Sequence, residues 1–288
     1  MLRTLLLFLL AFTAFPAHAR GRLTSSSIDR LVGDASLVSV KGRAIEIYSV
    51  STEAAHPGDD IRFLIEGGLH GNEILTTEFV NWLRDRLVRG VSPLSRLDAR
   101  AVFDLVPVAN PDAAGLSRYN ARNVNLNRNF GVNWGKSREP AGKDAFSEPE
   151  TRALKALLAN RKYVAAADVH GYVNWIVMPS FPASPGGPAA RFAKWNRAIE
   201  QHAGLLSRVE SYEIRHAMSL GDGGAFEDWA FWGNGSLAFC LEMATASRFT
   251  GEDHQTDSFL VYEEFLFAMF QEAMKLDATP LVNGWSGP

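Results

Sequence analysis

Hydrophobic and polar positions along this chain follow two alternating spacings. Short apolar or β-branched runs at 42–50 (GRAIEIYSV), 61–68 (IRFLIEGG), 101–111 (AVFDLVPVANP), 163–172 (YVAAADVHGY) and 236–244 (SLAFCLEMA) read as strands. Longer stretches with apolar residues every three or four positions read as helices: 73–90, closed by Gly90, then 148–161, 189–206, and an apolar C-terminal helix within 258–276. Ser147 and Glu150 have the spacing of a capping box at the start of the second helix. A long polar loop separates the strand at 101–111 from that helix, and a Pro/Gly-rich loop occupies 179–188. Strands alternating with helices predict an α/β fold, a largely parallel sheet covered on both faces. Ligands of such sheets bind outside the carboxyl ends of the strands, so the polar loops there are where chemistry is expected.

Composition narrows the partners. Of 288 residues, 29 are Lys or Arg and 32 are Asp or Glu, a formal net charge of −3. That balance gives no electrostatic footprint for nucleic acid or anionic lipid. Residues 1–19, MLRTLLLFLLAFTAFPAHA, carry Arg3, an apolar run from Leu5 to Phe15 and the small-x-small triplet Ala17-His18-Ala19. They predict a signal peptide cleaved after Ala19 and a periplasmic or secreted protein. The apolar run is about half the roughly 20 residues of a spanning helix, so no stable membrane anchor is expected after cleavage. The remainder, 20–288, reads as one large α/β domain. Cys240 is the only cysteine, so stability is expected from the core and not from an intrachain disulfide.

Four groups of polar residues fall at predicted strand ends. His70 and Glu73, three apart where a helix begins, can converge on one ion, and His with Glu suits zinc. A surface histidine beside an N-terminal helix glutamate is the plainer reading. Gly67, Gly68 and Gly71 favour the first, since they let the backbone turn sharply beside a ligand. His170 ends the strand at 163–172; alone it reads as a satisfied core residue, but with His70 and Glu73 it makes the third protein ligand of a catalytic zinc. Glu242 stands in an apolar strand, where an ionised carboxylate is costly unless compensated. Either it is salt-bridged, or its raised pKa makes it a general base beside the metal. Arg118, Arg122 and Arg128, among asparagines, form a donor-rich wall for carboxylates or carbonyl oxygens, or else a solvated loop.

Taken in order, GGLHGNE, NPD, NVNLNRNF, FSEPETRAL, DVHGY and CLEMA resemble the zinc carboxypeptidases of the carboxypeptidase A type, over roughly residues 61 to 245. The resemblance implies a mixed, mostly parallel, eight-stranded sheet between helices. It implies one zinc ion per chain held by His70, Glu73 and His170, with Glu242 as general base and acid and Arg118 stabilising the oxyanion. Asn127 and Arg128 would hold the free terminal carboxylate of a peptide substrate. Asn125 departs from the pattern, standing where the family often has Asp behind a zinc-binding histidine; an amide can accept the imidazole hydrogen bond without raising ligand basicity as a carboxylate does. Ser219 or Leu220 falls where the digestive enzymes carry a mobile Tyr. Glu227, just before Asp228-Trp229, matches the position that sets the side-chain pocket, and an acid there favours a basic or amino-bearing residue; a rim glutamate in a surface ion pair is the alternative.

The function expected is a secreted zinc-dependent carboxypeptidase-like hydrolase, tilted towards cell-wall peptides. Two other readings stay open: a zinc amidase or deacylase of small N-acyl amino acids on the same residues, and a non-catalytic peptide-binding module.

Overall fold

A computed structural model describes residues 28–30, 37–51, 60–98, 100–180, 189–216, 223–245, 247–249 and 252–276. The expected signal peptide, most of the Pro/Gly-rich loop, and Ser219 and Leu220 lie outside the described residues. No helix among the described residues is long and apolar enough to cross a membrane.

Eight strands, β1 (Ile28–Arg30), β2 (Tyr48–Ser51), β3 (Ile61–Gly67), β4 (Ala101–Val106), β5 (Ala165–Gly171), β6 (Trp175–Met178), β7 (Glu213–His216) and β8 (Leu237–Met243), form one sheet in the order β1-β2-β4-β3-β5-β8-β6-β7. The central strands β4, β3, β5 and β8 run parallel. β1, β2 and β6 join antiparallel, and β7 adds to β6 in parallel. The mixed, mostly parallel eight-stranded sheet is therefore as expected. Helices α1 (Ile74–Val88), α2 (Pro149–Arg161), α3 (Ala189–His202) and α5 (His254–Lys275) flank it, and a short turn α4 (Phe226–Asp228) runs into a wider turn at Trp229–Gly233.

Burial explains why the central strands read as unbroken apolar runs. All six residues of β4 are buried, as are the last five of β3 and the first six of β5, so neither face needs polar residues. Phe63 on β3 stacks on Phe103 of β4 at 5.5 Å and on Phe270 of α5 at 4.5 Å, tying the C-terminal helix to the sheet. The polar exceptions among these buried positions, Glu66, Asp104, Asp168 and His170, are at most 1% exposed.

The elements missed by periodicity are short. β1, β6 and β7 have three or four residues each, too few for a period to show. β4 stops before Pro107, which has no N–H for the ladder. The expected capping box is not formed: α2 begins with Glu148 as N-cap and Pro149 in its first turn. Ser147 Oγ donates instead to Glu148 Oε1 at 2.8 Å, and Glu150 is drawn inward to accept the Val40 N–H at 3.1 Å.

What brings His70 to the strand ends is a turn pressed onto a neighbour. Gly68 has φ +65°, and a Cβ there would sit 2.8 Å from Thr77 Oγ1 and 3.0 Å from the Pro107 carbonyl. A Cβ on Gly71 would lie 2.2 Å from the Ala113 carbonyl oxygen, and the Gly115 N–H donates to the Gly71 carbonyl at 2.7 Å. The His70 turn and the 111–117 turn that leads to Arg118 are thus locked backbone to backbone. Gly71→Ala is expected to push them apart, at a cost of about 1–3 kcal/mol and a Tm about 3–10 °C lower by calorimetry; an unchanged Tm would show that the contact yields freely.

Candidate metal centre

His70 lies in the turn after β3, Glu73 is the N-cap residue of α1, and His170 is the penultimate residue of β5, the parallel neighbour of β3. Three separate elements thus deliver three donors to one place. His70 Nδ1 is 2.8 Å from Glu73 Oε1, His170 Nδ1 is 3.0 Å from Glu73 Oε2, and the two Nδ1 atoms are 3.0 Å apart. All three side chains are buried.

The partner on the far side of the His70 ring sets its tautomer. Asn125 Oδ1 accepts the Asn127 backbone N–H at 2.9 Å, which fixes its amide; the His70 Nε2 2.9 Å from the same oxygen must therefore carry a proton. His170 Nε2 lies 2.8 Å from Asp168 Oδ1 and 3.1 Å from Asn127 Nδ2. The His70 Nδ1 lone pair consequently faces the Glu73 carboxylate, the side on which metal ligation needs it, and His170 Nδ1 is turned to the same carboxylate.

The residues fit zinc. Two imidazoles and a carboxylate are a catalytic zinc donor set, and ligands held tetrahedrally at about 2.0–2.1 Å from an ion stand about 3.3 Å apart. The observed separations need only a few tenths of an ångström of opening. Burial and the neighbouring His170 lower the His70 pKa, which favours its neutral, ligating form. Burial works against ionising Glu73, but the two imidazoles outweigh it and hold the carboxyl well below the usual range. Burial likewise opposes charge on His170, yet Asp168 and Glu73 hold its pKa well above the ordinary value, so loading a metal here must displace a proton.

Glu242 is the register partner of His170 on the adjacent strand β8. Its Oε2 is buried with no hydrogen-bond partner among the described residues. Burial, opposed by His170 and reinforced by Glu73 and Asp168, pushes its pKa to about 7. Arg118 reaches in from the 111–120 loop, its Nη1 3.0 Å from His70 Nδ1 and 3.3 Å from Glu73 Oε1. The structure therefore brings His70, Glu73, His170, Glu242 and Arg118 together.

The remaining predicted residues are placed less directly. Arg128 Nη1 donates to the Asn127 carbonyl at 2.6 Å, and Nη2 lies 3.7 Å from Glu139 Oε1. Asn127 is turned inward: Oδ1 accepts the Phe226 N–H at 2.7 Å, and Nδ2 lies 3.1 Å from His170 Nε2 and 3.4 Å from Asp168 Oδ2. Arg122 turns away from the site, 3.5 Å from Glu148 Oε2. Most asparagines of the loop fold it: Asn129 alone bonds Glu148 N, Thr151 Oγ1, Ala141 O and Asp144 O. Glu227, on α4, is buried, with Oε2 lacking a hydrogen-bond partner among the described residues. Burial and the charges of Asp228 and Asp168 push its pKa well up.

Two acids escaped sequence reasoning. Asp168 is two residues before His170 on one strand, hence on the same face, and Asp-x-His at a strand end was a readable signal. Glu139 gave no such signal; its carboxylate meets Asn125 and Arg118 through loop folding alone.

Known proteins are similar to this chain. Carboxypeptidase B of Helicoverpa zea is 28% identical over 171 residues, 49% of this chain and 39% of that protein. Carboxypeptidase SOL1 of Arabidopsis thaliana is 27% identical over 225 residues, 72% of this chain and 44% of that one. The chain thus spans less than half the length of these relatives. Among solved structures, carboxypeptidase A from Helicoverpa armigera superposes with TM-score 0.70 at 21% identity, covering 87% of this chain and 69% of that one. A metallo-carboxypeptidase from Burkholderia cenocepacia gives 0.65 at 18%, covering 88% and 66%. The family profile described as zinc carboxypeptidase matches residues 35–275, nearly the whole sheet with its flanking helices, and on that match the chain belongs to the zinc carboxypeptidase family.

Proposed function

We propose that this protein is an exported zinc-dependent carboxypeptidase that removes the C-terminal residue of peptides, with bacterial cell-wall peptides as the favoured class. The observation that carries the reading is the meeting of His70 Nδ1, Glu73 and His170 Nδ1 within 2.8 to 3.0 Å, with Glu242 on the next strand. The signal sequence read in residues 1–19 supports export to a compartment where wall peptides are the substrate at hand, and the lone Cys240, which forms no intrachain disulfide, favours wall-peptide trimming over protein digestion.

Zinc bound there supplies Lewis acidity, polarising the scissile carbonyl and acidifying a water. Glu242, with a pKa near neutrality, accepts the proton of the attacking water and hands it to the leaving amine. Arg118 donates Nη1 hydrogen bonds to the oxyanion, where the largest catalytic contribution usually lies. Arg128 binds the terminal carboxylate, so that only the last bond of a chain is cut. Asn127 serves the same carboxylate if its amide turns outward; as placed it steadies His170 and Asp168. Glu227, a buried acid with an oxygen lacking a hydrogen-bond partner among the described residues, favours a basic or amino-bearing terminal residue.

The wild-type protein is expected to bind one zinc per chain by elemental analysis, and His170→Ala to lose it. Glu242→Gln should keep the metal while hydrolysis falls about 10²–10⁴-fold. Since the base must be ionised and its pKa lies at about 7 before a neighbouring cation lowers it, kcat/KM should decline with falling pH along a limb at or below that value. Glu242→Gln retaining full activity would remove the mechanism, and faster release from small N-acyl amides than from wall peptides would make the chain a deacylase. Peptides ending in lysine or diaminopimelate should outcompete those ending in leucine, and Glu227→Gln should narrow that preference; an unaltered ratio removes Glu227 from the pocket.

A further inference from the structure

Glu139 belongs to the loop between the helical turn Leu126–Arg128 and α2, and its carboxylate ends neither at the metal donors nor at Glu242. Oε2 accepts a hydrogen bond from Asn125 Nδ2 at 2.8 Å and another from Arg118 Nε at 3.3 Å. Oε1 is 3.7 Å from Arg128 Nη2. The backbone holds it in place: the Pro140 carbonyl accepts the Asn125 N–H at 2.8 Å, and Ser137 Oγ accepts the Glu139 N–H at 3.0 Å.

The Asn125 amide can face only one way, because its Oδ1 accepts a backbone N–H that cannot do otherwise than donate. A chain of hydrogen bonds follows, from the Glu139 carboxylate through the Asn125 amide to His70 Nε2–H. Each bond in such a chain polarises the next: a carboxylate on the N–H side makes the amide oxygen more negative, and a more negative acceptor makes the imidazole a stronger ligand at Nδ1. An amide alone does this weakly.

We propose that Glu139 is a positioning residue for the metal site: through Asn125 it lends His70 negative charge, and by holding Nε of Arg118 it keeps that guanidinium beside the site. The inference rests on the proposed zinc site of His70, Glu73 and His170. An acid in this place has one competing role, displacement of a substrate carboxylate from Arg128. The distances favour positioning, since the Arg128 contact at 3.7 Å is the longest of the three. The Glu139 side chain keeps 32% of its surface exposed, so solvent screens part of its charge and the effect belongs at the modest end.

Zinc affinity, measured by competition with a chromophoric chelator, tests this on the wild type, Glu139→Gln, Asn125→Asp and the double variant. Glu139→Gln keeps the shape and removes the charge; it is expected to weaken zinc about tenfold. Asn125→Asp in the Glu139→Gln background places a carboxylate directly on His70 Nε2–H and is expected to restore affinity to within about threefold of wild type. A double variant as weak as Glu139→Gln would overturn the relay, as would a Glu139→Gln protein that binds zinc like wild type. Unchanged zinc affinity with a lower KM for C-terminal peptides would assign Glu139 to substrate competition instead. A wild type that binds no zinc would sink the metal site on which the inference rests.

Discussion

Two imidazole nitrogens and a carboxylate are aimed at one point, and holding them 2.8 to 3.0 Å apart is the constraint around which this molecule is arranged. No single element could do it. The donors come from a turn, the first residue of a helix and the end of a strand, joined only because β3 and β5 are adjacent in a parallel sheet. Each ring has a partner behind it, Asn125 for His70 and Asp168 for His170, so that both Nδ1 atoms stay turned to Glu73. The rigid core beneath, with Phe63, Phe103 and Phe270 stacked across sheet and helix, gives those supports something to stand on.

The surroundings are as acidic as the donors are basic. Glu66, Asp168 and Glu227 are buried close to His170, and Glu242 stands partly buried beside it. Glu66 is the register partner of Asp168 on the neighbouring strand, and burial together with that charge pushes its carboxyl well up. So many carboxylates in one low-dielectric region are tolerated only with protons or a cation among them. A divalent ion at the three donors lets several ionise at once, which couples metal loading to proton release.

Much of this was legible in the sequence, and for a physical reason. Parallel strands buried on both faces leave continuous apolar runs, and a ligand at a strand end leaves a polar residue where the run stops, as His170 and Glu242 do. Glycines around His70 marked a close backbone approach, which turned out to be the contact of Gly71 with Ala113. What escaped were features without local periodicity. β1, β6 and β7 are stabilised by neighbours on the sheet and not by their own pattern. Ser147 and Glu150 had the spacing of a cap, but Glu150 found partners in Val40 and Asn120, remote in sequence and therefore invisible to it. Arg122 shares the Asn-Arg loop with Arg118, and the loop's course turns it away from the site. Glu139 meets Asn125 for the same reason, through backbone pairing at Pro140.

Zinc at this site is held by nitrogen and oxygen from His70, Glu73 and His170 in the proposed reading, and not by the buried sulfur nearby. Asp168, His170 and Cys240 also stand close enough to hold an ion, so the distinction is a real one. X-ray absorption at the zinc edge of the loaded protein separates them. A shell of nitrogen and oxygen at about 2.0–2.1 Å with the outer scattering of two imidazoles is the predicted result. A zinc–sulfur distance of about 2.3 Å would contradict it.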